Sequence, residues 1–312
     1  ADNPLLLSVR SGARQSMPGM METVLNIGIT SKTIPGLIKS SGNEKFVYDA
    51  YRRLIMMYSD VVIEKKLDYE FKEGESIREK LKSILNEMKG KNDLKIDSDL
   101  SITQLKKLCN LFKEEINKTL GEKFPDDPYI QLWGAVKAVF KSWNGKRAIN
   151  YRKIENIPNH WGTAVNIQAM VFGNRNKNSA TGVGFTRDPS SGENTFYGEW
   201  LPNAQGEDVV AGIRTPNPLN SFNTNYNTKR LPTLNVVMPQ LYAELDIIQK
   251  KLEIHYTDMQ DIEFTIENGQ LYLLQTRTGK RSPGAAIKIA VDLVNEGVID
   301  KKSALLSVKA NS

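Results

Sequence analysis

Apolar residues recur at three- and four-residue spacing through much of the first half of the chain, a pattern typical of amphipathic helices. Three such faces follow one another between residues 33 and 124, and the polar stretch from Lys89 to Asp99 predicts a loop between the second and third. The faces consist of Phe46, Tyr51, Leu54, Ile55, Tyr58 and Val62, then Ile77, Leu81, Ile84, Leu85 and Met88, then Leu105, Leu108, Leu111, Phe112 and Ile116. The pattern predicts a helical segment over residues 33–124.

Strand-like runs lie on both sides of this segment. Leu5 to Val9 predicts a buried strand, which a small-residue loop connects to an amphipathic helix starting near Met20. Strands dominate after a helix predicted from Tyr129 to Trp143. Further strands are predicted at Val165–Phe172, Gly182–Thr186, Thr195–Leu201 and Ile262–Leu274, helices at Leu241–Ile254 and Pro283–Val294, and a surface loop at Asn217–Asn227. With no fixed-period repeat, the fold class is α+β with a helical insertion.

The two ends of the sequence lack the usual start and stop signals. The first strand begins five residues from the terminus without a preceding cap, and residues 303–312 follow a helix without a stop signal. We therefore expect this chain to be a piece of a longer protein.

Composition restricts the class of protein. With 312 residues, 40% apolar and 25% charged, the chain resembles ordinary globular proteins, so disorder as its main state is excluded. No apolar run is long enough to span a membrane, and the N-terminus lacks a signal-peptide pattern. The single cysteine, Cys109, excludes an intramolecular disulfide and a thiolate zinc cluster. This cysteine usage fits a reducing cytosol, so we expect a cytoplasmic protein.

The net charge of +6 raises the question of nucleic-acid binding. However, basic residues are interleaved with acidic ones, as in Glu64-Lys65-Lys66 and Lys113-Glu114-Glu115. Such mixing indicates solvated helical faces rather than a nucleic-acid groove. This interleaved charge pattern is still compatible with a local basic site that binds a polyphosphate.

One candidate for such a site lies between Leu5 and Leu25. A predicted strand, a loop with Gly12 and Gly19, and a predicted helix would make a concave anion site from backbone N–H groups. Arg10 and Arg14 flank it and could pair with phosphate oxygens. The alternative is an ordinary strand-to-helix turn. The segment is not a P-loop, because no Gly-Lys-Ser/Thr sequence follows its glycines.

A second candidate is the segment from Asp258 to Arg277, in which Asn268-Gly269 separates two alternating runs and predicts a hairpin. Asp261 and Glu263 share one face of the first strand, and Gln275 and Arg277 share one face of the second. Carboxylate and amide oxygens suit Mg²⁺, and Arg277 could hold phosphates that the metal bridges. The alternative is an exposed polar hairpin with scattered charges.

The turn decides whether these four residues meet. A two-residue Asn-Gly loop with unbroken register pairs Glu263 with Leu274 and places Gln275 on the opposite face. A three-residue loop with Gly269 left-handed pairs Asp261 with Gln275 and gathers all four on one face. We predict the three-residue loop. An unbroken register after a two-residue turn would exclude a shared site.

The remaining chemical candidates are weaker. The loop from Asn203 to Gly212 combines carboxylates with two glycines, a combination common in loops. Cys109 lies on an apolar helical face, which indicates a core thiol. We expect His160 to be a loop histidine and His255 to interact favourably with a helix end. With only two histidines, chemistry that needs several imidazoles is excluded.

Several separated motifs, in the same order, resemble the pyruvate, phosphate dikinase family over nearly the whole chain. They are Ser8-Val9-Arg10-Ser11-Gly12-Ala13-Arg14, Met17-Pro18-Gly19-Met20-Met21, Gly198-Glu199 through Arg214-Thr215-Pro216, Asp261-Ile262-Glu263-Phe264-Thr265 and Gln275-Thr276-Arg277. The resemblance is to the nucleotide-binding domain of that family, which has an ATP-grasp-like fold. It implies conversion of ATP, phosphate and pyruvate to AMP, pyrophosphate and phosphoenolpyruvate through a phosphohistidine.

The resemblance also implies roles for individual residues. Arg10 and Arg277 would contact the ATP phosphates, and Glu263 and Gln275 would hold Mg²⁺, with Asp261 adjacent. The loop from Arg14 to Met21 would close over the phosphates. The nucleotide contacts implied in addition are Arg14, Met17, Gly19, Gln168, Met170, Val171 and Glu207.

The resemblance divides the chain into an ATP-grasp-like region, residues 1–32 plus 125–282, a helical insertion, 33–124, and a C-terminal helix and linker, 283–312. The family's lysine-bearing glycine-rich segment, its phosphohistidine domain and its pyruvate site would lie outside this chain. We therefore expect this piece alone to be inactive, and the intact enzyme to be a homodimer that contacts neither nucleic acid nor membrane. Two alternatives are the ATP domain of a phosphoenolpyruvate synthase-like dikinase and a non-catalytic module whose helical insertion binds a partner.

Overall fold

The predicted mixture of helices and strands is confirmed in the computed structural model, which describes residues 2–66, 74–206, 208, 215–223 and 230–308. The chain divides into two units, Ala1–Met170 (unit 1) and Val171–Ser312 (unit 2). This division differs from the predicted domains, 1–32 plus 125–282, 33–124 and 283–312, which stay a prediction. The helices of residues 33–124 belong to unit 1 together with its sheet.

Unit 1 contains a three-stranded antiparallel sheet with the order β2-β1-β3. Its strands are β1 (Leu7–Ala13), β2 (Thr23–Ile27) and β3 (Thr163–Ala169). Strand β1 is central and pairs with both neighbours, so Arg10 lies opposite Thr23 on one side and Asn166 on the other.

The helices of unit 1 confirm the predicted helical segment. Helix α4 begins with a capping box, in which the Ser101 hydroxyl accepts from the Gln104 N–H and the Gln104 side chain accepts from the Ser101 N–H. Helix α5 packs against all three strands. The helices are α1 (Ile34–Ser41), α2 (Glu44–Tyr58) with a π-helical continuation at Ser59–Glu64, α3 (Ile77–Gly90), α4 (Ile102–Leu120), α5 (Pro128–Ser142) and α6 (Lys146–Ile154).

The amphipathic helix predicted from Met20 is wrong, because this segment forms strand β2. Asn26 has a left-handed φ of 63°. Opposite Leu7 and Val9 of β1 lie Ile27 and Val24, so β2 carries one residue more than its partner. Because of this bulge, Val24 and Ile27 are both buried although they are three positions apart in the sequence. Their spacing therefore imitates a helix.

Unit 2 contains a five-stranded antiparallel sheet with the order β6-β5-β4-β7-β8. On one face of it Trp200, Phe264 and Ile266 of β5 and β7 are buried, because they pack against Leu234 and Leu245 of the helices. The elements are β4 (Ala180–Phe185), β5 (Tyr197–Pro202), β6 (Asn217–Pro218), α7 (Leu234–Val237), α8 (Pro239–Tyr256), β7 (Gln260–Glu267), β8 (Gln270–Thr278), α9 (Pro283–Asn295) and α10 (Lys301–Ser307).

The loop predicted at Asn217–Asn227 is partly wrong, because Asn217–Pro218 pairs with β5 as strand β6. Residues 224–227 of that loop lie outside the described residues. Cys109 is buried as expected, and burial raises its pKa to about 12. His160 lies in a short 3-10 turn and His255 in the last turn of α8. Among the described helices, none combines the length and apolar character needed to cross a bilayer.

Candidate functional site

The turn of the β7–β8 hairpin differs from the prediction. Glu267 pairs with Gln270, so the loop has two residues, Asn268 and Gly269, with φ values of 52° and 79°. Left-handed values at both positions are those of a type I′ turn, which matches the right-handed twist of the strands and favours Asn-Gly. The predicted three-residue loop is wrong.

The register nevertheless shifts further along the hairpin. Phe264 lies opposite Leu273, whereas Glu263 lies opposite Gln275, so Leu274 is an extra residue in β8. The predicted pairing of Asp261 with Gln275 is wrong, because Asp261 lies opposite Arg277. The bulge has the effect expected of the longer loop, and all four residues share one face of the sheet.

Arg277 joins the two carboxylates of this face. Its Nε donates to Asp261 Oδ2 at 2.8 Å, and its Nη2 donates to Glu263 Oε1 at 3.2 Å. Burial raises the pKa of Asp261 above its ordinary value, the Arg277 hydrogen bond and charge lower it, and the charge of Glu263 raises it. Two carboxylates with one guanidinium leave an excess negative charge, which favours a cation.

Strand β5 extends the same face. Val183 of β4 lies opposite both Glu199 and Glu263, so Glu199, Glu263 and Gln275 occupy one row across the sheet. Burial raises the pKa of Glu199. Glu199 belongs to the Gly198-Glu199 motif of the family resemblance, but the sequence analysis does not predict it as a site residue. The signal that could have found it is the period-two alternation of Tyr197 and Glu199 with the buried Trp200.

The donor set fits Mg²⁺. The Glu263 carboxylate and the Gln275 amide oxygen are hard ligands on opposed residues. In the part of the chain that the structure describes, no three His, Cys, Asp or Glu side chains are grouped as metal ligands. Mg²⁺ usually keeps several waters and binds through one or two carboxylates together with phosphate oxygens, so the Glu263 carboxylate and the Gln275 amide oxygen are the groups that could hold it here.

The predicted anion site of unit 1 is altered by the strand that replaces the helix. The loop after β1 leads into β2, so the helix N-terminus that would have supplied N–H groups is absent at this position. Arg10 lies on the central strand, and the Arg14 guanidinium lies 4.9 Å from the centre of the Trp161 ring. The two arginines remain predicted phosphate contacts, but without the helical contribution.

The other predicted contacts are spread over both units. The Met17 side chain is buried against Trp143, Ala148 and Ile157, so it packs in a core. The Gly19 φ of 70° is left-handed. Gln168 lies opposite Ser8, the Met170 N–H donates to the Leu6 carbonyl at 2.9 Å, and Val171 is the first residue of unit 2. Glu207 lies outside the described residues. These contacts stay predictions.

A shallow apolar groove of about 480 Å³ lies on unit 1. The exposed side chains of Tyr129, Ile130 and Trp133 line it, and its lining also includes Lys123 and Lys137. These exposed apolar side chains belong to α5, which lies outside the predicted helical insertion of residues 33–124, so they are not the insertion surface that the partner-binding alternative requires. None of the residues predicted to contact a nucleotide lines it.

Comparison with known proteins links this chain to one family. The sequence profile of the family described as "Pyruvate phosphate dikinase, AMP/ATP-binding domain" matches residues 1–231 and 220–297. The chain is 49% identical over 312 residues to pyruvate, phosphate dikinase of Clostridium symbiosum, covering 100% of this chain and 33% of that protein. Identity is 50% over 307 residues to the protein of the same name from Rhizobium meliloti (98% and 33% covered) and 45% over 311 residues to that from Giardia intestinalis (99% and 33%). The chain spans about one third of the length of these curated relatives.

Proposed function

The chain belongs to the pyruvate phosphate dikinase AMP/ATP-binding domain family, and from this premise we propose that the β7–β8 hairpin holds Mg²⁺ and the phosphates of ATP. The observation that carries the proposal is the fork in which Arg277 donates to both Asp261 and Glu263 beside Gln275. Phosphoryl transfer depends mostly on positioning and on neutralising charge, and this face supplies groups for both.

Each residue of the fork has a distinct role in the proposal. Bound Mg²⁺ would neutralise phosphate charge, with the Glu263 carboxylate and the Gln275 amide oxygen as its protein ligands. Arg277 keeps its Nε–H on Asp261 and turns its Nη2 from Glu263 to a phosphate oxygen. Asp261 therefore orients Arg277, and the guanidinium is held ready before the phosphates arrive.

The remaining contacts of the proposal come from the family resemblance. Arg10 and Arg14 bind phosphate oxygens through charge-assisted hydrogen bonds. Backbone groups near Gln168, Met170 and Val171 contact the base. Glu207, Met17 and Gly19 complete the predicted set. Mutation of each residue by itself tests its contribution, independently of the hairpin.

For the whole protein we propose the activity after which its relatives are named. A dikinase of this kind converts ATP, phosphate and pyruvate to AMP, pyrophosphate and phosphoenolpyruvate through a phosphohistidine. This chain would supply the nucleotide domain, and parts outside it would supply the phosphohistidine and pyruvate sites. By itself it binds Mg·ATP without turnover. The intact protein would be a cytoplasmic homodimer.

Calorimetric titration with Mg·ATP tests the hairpin proposal. The unmodified chain should bind saturably, and a Glu263→Ala, Arg277→Ala double variant should lose at least about tenfold in affinity, since each removes a charged hydrogen bond. Glu244→Gln, an exposed carboxylate on α8, is the matched control and should bind as the unmodified chain does. Circular dichroism confirms that each variant is folded. Equal affinity of the double variant and the unmodified chain would exclude the hairpin as the site.

A further inference from the structure

A buried arginine, Arg187, lies two residues after the end of β4. Arg187 is 0% exposed, and its guanidinium donates to Glu253 of α8 at 2.8 and 3.1 Å and to Glu296 after α9 at 2.5 and 3.2 Å. Removing one partner from such a buried ionic group is strongly destabilising. Arg187 therefore fixes Glu253 in one position.

Glu253 is linked to the hairpin by hydrogen bonds through Thr186. The Thr186 hydroxyl donates to Glu253 Oε2 at 2.5 Å and accepts from the Gln260 N–H at 3.0 Å. The Thr186 N–H donates to the Gln260 carbonyl at 2.9 Å. The backbone of Gln260, the first residue of β7, is thus held on both its N–H and its carbonyl.

The side chain of Gln260 connects the two strands of the hairpin. It is 1% exposed, and its Oε1 accepts from the Thr276 hydroxyl at 3.1 Å. Its Nε2 donates to the Asp258 and Met259 carbonyls at 3.1 and 3.2 Å. Of the three hydrogen bonds that this side chain makes with described residues, the Thr276 bond reaches β8.

Gln260 and Thr276 directly precede Asp261 and Arg277, and they lie on the opposite face of the sheet because side chains alternate. The bulge at Leu274 leaves two possible registers for the end of β8. A slip of one residue would turn Gln275 and Arg277 away from Asp261 and Glu263. The Thr276–Gln260 bond is formed in the observed register, in which Arg277 lies opposite Asp261.

We propose that Gln260 and Thr276, anchored through Thr186 and Glu253 to Arg187, are positioning residues that hold β8 in the register that places Arg277 opposite Asp261. The expected effect on nucleotide affinity rests on the proposed function, whereas the role of these residues in the register of β8 does not. The network touches the fork only through the backbone, so its side chains are not expected to contact a ligand.

Thr276→Val tests the proposal, because it removes the hydroxyl with little change in shape and leaves Gln260 Oε1 without its donor. Thr276→Ser restores the hydroxyl and is the conservative rescue. Thr278→Val is the matched control, since Thr278 is exposed on the same strand. The thermal midpoint of each variant shows whether it is folded.

The first readout uses the chain without nucleotide. In the NMR spectrum the Arg277 Nε–H signal, assigned with Arg277→Lys, and the cross-strand nuclear Overhauser effect between Glu263 and Gln275 report the register. Both should weaken in Thr276→Val, return in Thr276→Ser and persist in Thr278→Val. Both unchanged in Thr276→Val would overturn the positioning role.

The second readout is the affinity for Mg·ATP. Thr276→Val should bind about tenfold more weakly, in the range expected when a buried acceptor loses its donor, and Thr276→Ser should bind as the unmodified chain does. Absence of binding by the unmodified chain would contradict the proposed function. The NMR signals of the nucleotide-free chain would then still decide the positioning role.

Discussion

The ionised form of Asp261 is destabilised by burial in the folded chain. Burial raises its pKa above the ordinary 3.8 despite the hydrogen bond from Arg277. The folded chain therefore binds more protons than the unfolded chain between these two pKa values, and stability falls as pH rises through that window. At neutral pH the ionised carboxylate is destabilising, and its orientation of Arg277 explains why a carboxylate is nevertheless useful there.

Asp261→Asn should separate stability from binding. At pH 7 the variant should unfold at a temperature equal to or above that of the unmodified chain, because the buried charge is gone. The difference should disappear below about pH 3.8, where both chains are uncharged at this position. Its affinity for Mg·ATP should fall, because the neutral Asn amide holds the Arg277 Nε–H less strongly than the ionised carboxylate does. Calorimetry of unfolding and of binding measures both, and a variant much less stable at pH 7 would contradict the argument.

Cys109 should be chemically inert in the folded chain. Burial raises its pKa to about 12, so the reactive thiolate is almost absent near pH 8. A disulfide reagent such as dithionitrobenzoate should label the denatured chain at once and the native chain only as fast as it unfolds. Rapid labelling of the native chain at low reagent concentration would show that the thiol is accessible.

At the level of elements, Ser101 should determine the stability of the start of α4. Its hydroxyl accepts from the Gln104 N–H in a capping box. Ser101→Ala should lower the free energy of unfolding by about 1 kcal/mol, and Ser101→Gly by less. Urea denaturation measures the change, and Ser98→Ala, on an exposed residue of the preceding turn, provides a control. No difference between Ser101→Ala and the control would contradict the capping role.

The helices could be predicted from the sequence because their apolar spacing comes from long runs. The α4 face from Leu105 to Ile116, for example, is buried as the periodicity requires. Strand β2 could not be predicted from the sequence. It carries one residue more than β1 at the left-handed Asn26, so the buried residues Val24 and Ile27 have the three-residue spacing of a helix. A bulge of the same kind at Leu274 places the four predicted hairpin residues on one face of the sheet, and the spacing of apolar and polar residues does not indicate this bulge. Bulges change the side-chain period locally, and a cross-strand contact such as the Thr276–Gln260 hydrogen bond leaves no signal in the spacing of apolar residues.

The bulge itself makes an element-level prediction. Deletion of Leu274 should leave an unbroken register in which Glu263 still lies opposite Gln275 and Asp261 opposite Arg277, because Leu274 is the extra residue of β8 between the Phe264–Leu273 and Glu263–Gln275 pairs. The variant should therefore still bind Mg·ATP saturably in calorimetry. Deletion of Thr276 instead should move Arg277 out of register and abolish binding. Loss of binding in both deletions would show that the twist of the bulge, and not the register alone, orients the site.

For the whole molecule, the net charge of +6 says less about function than the pairing of charges does. Ion pairs join Lys65 to Glu22, Lys66 to Glu122 and Lys106 to Glu44. Exposed pairs of this kind contribute little stability, but they neutralise the surface locally. Each of these lysines therefore has a carboxylate partner, including Lys66, which lines the groove of unit 1 together with Lys123 and Lys137. The polyphosphate and nucleic-acid interpretations are separated by their response to salt and magnesium.

The two interpretations predict opposite responses to salt and magnesium. A nucleic-acid groove with six to ten phosphate contacts loses roughly a thousandfold or more in affinity between 50 and 200 mM salt. The proposed site relies on a short-range arginine contact and two metal ligands, which salt screens less, so Mg·ATP affinity should fall by less than about tenfold over that range. Chelation of Mg²⁺ should weaken ATP binding strongly, because Glu263 would then repel the phosphates. A fluorescent 20-nucleotide single strand serves as the competing ligand in anisotropy measurements. Tight, magnesium-independent binding of the strand that falls steeply with salt would reverse the assignment, since only phosphate contacts spread over many lysines produce that dependence.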